Sequence, residues 1–182
     1  MSTAKRRDQK LSTTRLLSVP AAPDAPLGEH DGVTFRRERL APILREILPL
    51  LRKNWEENGV DHIEAPFALD LDRYLQYDLV GVLQIVTARV ASGMMVGYVF
   101  AAVHPHIDHS GLGWALLTWY WLYPEWRGGG VGGAMMDSVE NFLREAGVSV
   151  VEATEKVTAQ HGLFARRGYH ATDTVFRKIL KL

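Results

Sequence analysis

Hydrophobic positions recur with two different periods along the chain, and the changes of period divide it into elements. Residues 33–40 alternate between apolar and polar side chains, which predicts a β-strand. Pro42 then opens a predicted helix, kinked at Pro49, whose apolar residues recur every fourth position until Asn58-Gly59: Ile43, Ile47, Leu51 and Trp55. Asp70 is the expected N-cap of a second helix that continues to Leu79.

The middle of the chain is rich in β-branched and aromatic residues. Residues 82–91 and 94–104 predict two strands, and Ser92-Gly93 between them is a hairpin signal. Residues 114–123 form a third apolar run, so we expect an antiparallel meander. A helix from Val131 to Ala146, closed by Gly147, follows a glycine-rich loop. A buried strand at 148–154, a short helix at 158–168 and a last strand at 174–180 complete the order.

The first 31 residues differ from the rest. They are polar or rich in proline and alanine and show no sustained period, so we expect a flexible leader at 1–31, ordered structure from about Val33, and a single domain at 32–182. Residues 1–15 carry a net charge of +4, which leaves −4 on the remainder. The body is therefore not a nucleic-acid-binding surface by charge, although the leader could contact a polyanion.

The amino-acid composition further restricts the class of protein. The 182 residues contain 21 basic and 21 acidic side chains and no cysteine, which excludes disulfides, thiolate nucleophiles and cysteine-ligated zinc. No apolar run reaches the roughly 18 residues that a membrane span requires. We expect a cytoplasmic protein without a membrane partner.

The glycine-rich loop YPEWRGGGVGG at 123–133 allows three interpretations. Gly128, Gly130 and Gly133 satisfy G-x-G-x-x-G, but the strands before them are predicted to be antiparallel, which disfavours a dinucleotide-binding βαβ unit. The loop does not match the phosphate-loop motif G-x-x-x-x-G-K-[ST], because neither lysine nor a hydroxyl residue follows its glycines. A turn without a ligand is the second interpretation. The third is a loop whose backbone amides face a phosphate at a helix start.

The loop also carries a family resemblance. Arg127-Gly128-Gly129-Gly130-Val131-Gly132 resembles the [QR]-x-x-G-x-[GA] signature of the GNAT N-acetyltransferases, and Leu122-Tyr123-Pro124 precedes it as in that family. LFARRGY at 163–169 is similar to the family's late helix. The resemblance covers about residues 33–181 and looks closest to small phage-encoded members. It implies an α/β (α+β) GNAT fold, with helices flanking a mixed, mostly antiparallel sheet that is splayed at the cofactor site.

The resemblance further implies acetyl-coenzyme A as cofactor. Its pyrophosphate would lie over Gly128, Gly129, Gly130, Val131, Gly132 and Gly133, with a contact from Arg127, and its pantetheine arm would lie along Trp121, Leu122 and Tyr123. We expect the Leu122 amide to donate a hydrogen bond to the thioester oxygen, because a splayed strand offers unpaired amides.

The chain departs from the family pattern at the acid and the base. TWYWLY at 118–123 lacks the acid that many members carry there, and Phe164 replaces a general-acid tyrosine. Glu152, oriented by Thr154, and the cluster His104, His106, Asp108 and His109 are the candidate bases, and Tyr120 or Tyr123 is the candidate proton donor. The alternatives are that Glu152 is only a structural residue of its strand and that the cluster is only an exposed loop. The spacing of the cluster matches no strong metal motif, so no metal is expected.

The expected function is direct acetyl transfer from acetyl-CoA to a primary amine, small or macromolecular, by a monomer or homodimer. Direct transfer follows from the absence of a cysteine to carry an acyl group. A non-catalytic acyl-CoA-binding module or interaction domain is one alternative. Acetylation of an aminated nucleobase in phage DNA, in the host cytoplasm, is another.

Overall fold

The computed structural model describes residues 26–59, 66–106, 108–109, 111–155, 162–176, 178 and 180. Within these residues six strands form one sheet in chain order: β1 (Pro26–His30), β2 (Val33–Glu38), β3 (Leu83–Val90), β4 (Met95–Pro105), β5 (Gly113–Leu122) and β6 (Val148–Ala153). The helices are α1 (Leu40–Asn58), α2 (Leu71–Leu79), α3 (Val131–Glu145) and α4 (Leu163–Arg166). The predicted mixed α/β fold is confirmed.

Pairing within the sheet is antiparallel from β1 to β5 and parallel between β5 and β6. The predicted meander of β3, β4 and β5 is therefore confirmed. The hairpin between β3 and β4 turns at Gly93, whose φ of +87° is accessible to glycine at little cost. The parallel pair requires a crossover, and α3 supplies it.

Helices cover both faces of the sheet. Residues of β3 from Leu83 to Ala88 are all buried, including the polar Gln84 and Thr87, because the strand is covered on both faces. One apolar core lies between the sheet and α3, and the other between the sheet and α1 with α2. We call the two sides of the sheet the α3 face and the α1 face.

The predicted helices have the expected buried faces and mostly the expected ends. Ile43, Ile47 and Leu51 of α1 are buried, and the helix continues through Pro49 without a break. It begins at Leu40, two residues before the predicted start. The Asp70 side chain caps α2 by accepting a hydrogen bond from the Arg73 amide at 3.1 Å. Gly147, with a φ of +88°, follows the end of α3 as predicted.

Two expectations about the termini were wrong within the described residues. β1 occupies positions 26–30, which we had assigned to the leader; its order comes from backbone pairing with β2 and close packing on α3, where a Cβ on Gly28 would lie 2.7 Å from Ser138 Oγ. The last strand, predicted at 174–180, is absent from the described part of that segment, because β-propensity does not by itself provide a pairing partner. Residues 1–25 of the leader, and 158–161 of the late helix, lie outside the described residues.

Candidate active site

The glycine loop presents a row of free backbone amides. Gly128 and Gly130 both have a φ of +86°, and Gly130 is the N-cap of α3 without a side-chain cap. In the described structure the amides of residues 128–133 have no hydrogen-bond partner. The amides at a helix start also carry the positive end of the helix dipole, about half an elementary charge. The loop therefore has the geometry of an anion-binding cradle.

Space above the cradle is open. A Cβ on Gly128 or Gly129 would meet no atom within 4 Å, and one on Gly132 would meet only Leu122 Cδ2 at 4.0 Å. Backbone amides can thus be approached closely by the oxygens of a diphosphate. The residues present fit the phosphate group that the sequence motif implies.

His30, at the end of β1, supports the cradle from the other side. Its Nε2 lies 3.1 Å from the Gly129 carbonyl oxygen, and a Cβ on Gly130 would come within 2.8 Å of the same nitrogen. Gly130 therefore favours glycine for its left-handed backbone, and any side chain there would also displace the His30 ring. Sequence reasoning missed His30 because β1 was assigned to the leader.

Next to the cradle the sheet has an open edge. Pairing between β5 and β6 ends at Leu117 and Ala153, whereas β5 continues to Leu122. The Tyr123 amide donates to the Val96 carbonyl of β4 at 2.9 Å. Because successive residues of a strand direct their amides to opposite edges, the Leu122 amide points away from β4, toward the open edge. This is the splayed strand that was expected, with a free donor at its end.

Gly97 on β4 allows the end of β5 to approach. A Cβ there would lie 2.6 Å from Leu122 Cδ1 and 2.8 Å from the Trp121 carbonyl oxygen. Any larger residue would displace the strand that carries the Leu122 amide. The only signal of this in the sequence is a glycine inside a strongly β-patterned run.

Arg127 points toward α1 rather than over the cradle. Its Nε donates to the Leu122 carbonyl at 2.7 Å, and its two terminal nitrogens donate to the Glu57 carboxylate at 2.6 and 2.8 Å. Glu57 also accepts from Trp121 Nε1 at 2.8 Å, and the hydrogen bonds from Arg127 and then Trp121 hold the pKa of Glu57 below its ordinary value. The Arg127 side chain thus fixes the end of β5.

Tyr120 lies where the open edge meets α4. Its ring contacts Phe164 edge-on at a centroid distance of 5.2 Å, and its hydroxyl lies 3.5 Å from the Thr154 carbonyl oxygen. Burial, and secondarily the charge of Glu155, raise the pKa of Tyr120 to about 12. The phenol is therefore protonated at neutral pH. It lies next to Phe164, at the position where the family's tyrosine is replaced.

Asn54 joins α1 to β4 and β5. Its buried amide nitrogen donates to the Tyr98 hydroxyl at 2.9 Å and approaches the Tyr120 carbonyl at 3.4 Å. Burial raises the pKa of Tyr98, so this hydroxyl stays neutral. A single asparagine within an apolar helix face gave no sequence signal of this contact.

Glu152 and the histidine cluster lie away from Leu122. Glu152 pairs with Leu116 across β6 and β5, six residues or roughly 20 Å along the strand from Leu122, and its carboxylate accepts from Trp114 Nε1 at 3.1 Å. Thr154, two residues on, follows the end of β6. Glu152 is exposed and too distant to contact an amine at Leu122 directly.

The histidine cluster lies at the start of β5. His106 packs against His109 and Trp114, at ring distances of 4.8 and 4.5 Å. Leu122 is at the other end of the same strand, roughly 30 Å away. In the part of the chain covered by the structure, no three histidine or carboxylate side chains could hold a metal ion.

Comparison with known proteins identifies the family. The model of the acetyltransferase (GNAT) family matches residues 44–169, which include the cradle, the open edge and α4. The chain belongs to the GNAT family. No curated protein sequence matches it significantly. As a GNAT acetyltransferase it uses acetyl-CoA, and the amide cradle fits the diphosphate of that cofactor.

Solved structures have the same fold at low sequence identity. An aminoglycoside acetyltransferase from an uncultured soil metagenomic sample, determined with sisomicin, has a TM-score of 0.66 at 16% identity, covering 83% of this chain and 98% of its own. A ribosomal-protein-alanine N-acetyltransferase from Brucella melitensis biovar Abortus 2308 has a TM-score of 0.60 at 18% identity, covering 82% of this chain and 99% of its own. A predicted acetyltransferase from Clostridium acetobutylicum, determined with acetyl-CoA, has a TM-score of 0.63 at 15% identity, covering 81% of this chain and 96% of its own.

The described helices include none that is long and apolar enough to cross a membrane.

Proposed function

We propose that this GNAT acetyltransferase transfers the acetyl group of acetyl-CoA directly to a primary amine. The observation that carries the proposal is the free Leu122 amide at an open strand edge, immediately beside the unpartnered amides of 128–133. Bound acetyl-CoA supplies an activated thioester. The chain has no cysteine to carry an acyl group, so the amine attacks the donor without a covalent enzyme intermediate.

Each part of the site has a distinct role in this proposal. Amides of Gly128 to Gly133 bind the diphosphate, and Arg127 acts indirectly, by holding Leu122 and Glu57 in place. The Leu122 amide donates to the carbonyl oxygen of the acetyl group as negative charge develops on it. The pantetheine arm lies along Leu122 and Tyr123. Tyr120, neutral with a pKa of about 12, donates a proton to the departing thiolate.

Deprotonation of the amine falls to solvent in this mechanism. An alkylammonium of pKa about 10.4 costs about 4 to 5 kcal/mol to deprotonate at pH 7. Glu152 lies roughly 20 Å along the strand from Leu122, which is too far for a general base to act directly or through one water. The rate should therefore increase with pH as the neutral fraction of the acceptor increases.

The test is incubation of the full chain with acetyl-CoA and a panel of primary amines, with free thiol measured against time and the N-acetyl product confirmed by mass. We expect thiol release that depends on an amine and saturates with acetyl-CoA. Tight CoA binding without thiol release across the panel would support the acyl-CoA-binding alternative instead. Acetylation confined to an aminated base in DNA, with binding weakened by salt, would support the nucleobase alternative that the phage-like resemblance suggests.

A further inference from the structure

The strongest feature outside the cofactor site is a cationic groove on the outer side of α1. Its volume is about 510 Å³, which lies within the range of small-molecule sites. The apolar part of its lining is formed by Leu48, Pro49 and Phe67. Charged residues form its rim: Arg45, Arg52, Lys53 and Glu56. Three cations against one carboxylate give the groove a net charge of +2 at neutral pH.

The groove's cations are not neutralised by carboxylates in the described structure. Arg39, Arg89, Arg127 and Arg167 each form an ion pair with an aspartate or glutamate. Arg45, Arg52 and Lys53 form none among the described residues, and two of them, Arg52 and Lys53, instead contact aromatic rings. Arg52 lies 5.6 Å from the centroid of Phe67, and Lys53 lies 4.6 Å from that of Tyr123. Their N–H groups are available to an oxyanion.

Lys53 connects the groove to the end of β5. Its Nζ donates to the Tyr123 hydroxyl at 3.2 Å, and the Tyr123 ring packs against Trp121 at 4.7 Å. Tyr123 directly follows Leu122, so a residue of the groove contacts the neighbour of the proposed oxyanion donor. The side chains of Tyr120 and Leu122 pack into the core on the α3 face, while Trp121 packs on the α1 face. An acceptor lying in the groove would therefore approach β5 from the α1 face.

We propose that the acceptor amine carries an oxyanion, a carboxylate or a phosphate, which Arg52 and Lys53 bind while its amine reaches Leu122. This inference rests on the proposed acetyl transfer. Charge-assisted hydrogen bonds from an arginine and a lysine select such a group, and the apolar side chains of the groove accommodate a hydrocarbon linker. Acceptors with several ammonium groups meet a net positive charge and are disfavoured.

The test compares four acceptors with the same six-carbon chain: 6-aminohexanoate, 6-aminohexyl phosphate, hexylamine and 1,6-diaminohexane. We expect kcat/KM for at least one anionic acceptor to exceed that for hexylamine by about tenfold or more, and that for the diamine to be lowest. The larger of the two anionic ratios identifies the oxyanion. Increasing ionic strength should reduce the ratio. A diamine preferred over both anions would overturn the inference.

Variants assign the preference to the groove. Lys53→Gln and Arg52→Gln should each reduce the ratio of anionic to uncharged kcat/KM by about fivefold or more. Because the ratio is taken within one variant, a general loss of activity does not affect it. Arg144→Gln is the matched control, since it removes an exposed cation at the far end of α3. An equal effect of Arg144→Gln would show that only overall charge acts, and would overturn the assignment.

A binding measurement separates this inference from the proposed function. Calorimetry with the product analogues N-acetyl-6-aminohexanoate and N-hexylacetamide requires no turnover. We expect the carboxylate to bind more tightly to the parent chain and to lose that advantage in Lys53→Gln. Equal binding of both analogues, together with acetylation of hexylamine, would overturn the inference and leave acetyl transfer intact. Preferential binding of the carboxylate without acetylation of any amine would overturn acetyl transfer instead.

Discussion

Substitutions at Gly132 test the phosphate cradle most directly. Gly132 lies in the first turn of α3, and a Cβ there would meet only Leu122 Cδ2 at 4.0 Å, so alanine fits without displacement. The two γ-carbons of valine extend farther into the space between Leu122 and the free amides. We expect Gly132→Val to obstruct the diphosphate and Gly132→Ala to admit it, in agreement with the glycine or alanine of the family signature. Gly130 is less suitable, because its φ of +86° and its contact with His30 would strain any variant.

The magnitudes follow from the loop geometry. Loss of one hydrogen bond to a charged oxygen costs about 1.5 to 3 kcal/mol, so the Kd of CoA should increase about tenfold to a hundredfold in Gly132→Val. Valine is about 0.3 kcal/mol better than glycine in a helix, which changes the Tm by about 1 °C. Alanine is up to about 1 kcal/mol more favourable than glycine in a helix, so Gly132→Ala should increase the Tm by about 2 to 4 °C. The Kd of CoA should stay at the parental value in this variant.

Isothermal calorimetry with CoA gives the Kd, and thermal unfolding gives the Tm, of the parent, Gly132→Val and Gly132→Ala. Asn141→Ala, an exposed substitution in the same helix far from the loop, controls for helix stability. Parental affinity in Gly132→Val would refute the placement of the diphosphate over this turn. A Tm lowered by many degrees in the same variant would show instead that the side chain disrupts packing, and would refute the open space inferred above Gly132.

Three further predictions concern the proton donor, the distant carboxylate and the N-terminus. Tyr120→Phe should lower kcat about a hundredfold with CoA affinity unchanged, whereas Tyr169→Phe, whose hydroxyl contacts Glu140, should not. Since the pKa of Tyr120 is raised to about 12, the parent should lose no activity between pH 7 and 10; an alkaline loss there would contradict this donor. Glu152→Gln should change kcat less than about threefold, and a hundredfold fall would restore Glu152 as the base. Removal of residues 1–30 should lower the Tm by several degrees relative to removal of 1–25, because it deletes β1; equal melting curves would show that β1 is dispensable.

Local sequence determined most of the elements, and it predicted the cofactor loop. Periodic apolar positions placed α1, α2 and α3, and Ser92-Gly93 and Asp70 marked a turn and a cap, because these signals act between residues close in the chain. The glycine run likewise indicated a phosphate cradle without reference to the rest of the fold. A local pattern could not predict β1, which has a single large apolar residue, Leu27, and is ordered by β2 and α3.

Only the tertiary structure decided which distant residues meet the loop and which do not. His30 at Gly129, Glu57 at Arg127, Asn54 at Tyr98 and Lys53 at Tyr123 are separated from their partners by at least 44 positions, so no periodicity relates them. The same geometry separated Glu152 and the histidine cluster from Leu122. Their chemistry suited a base, but the register of a parallel strand pair fixes distance along a strand, and side-chain type carries no information about that register.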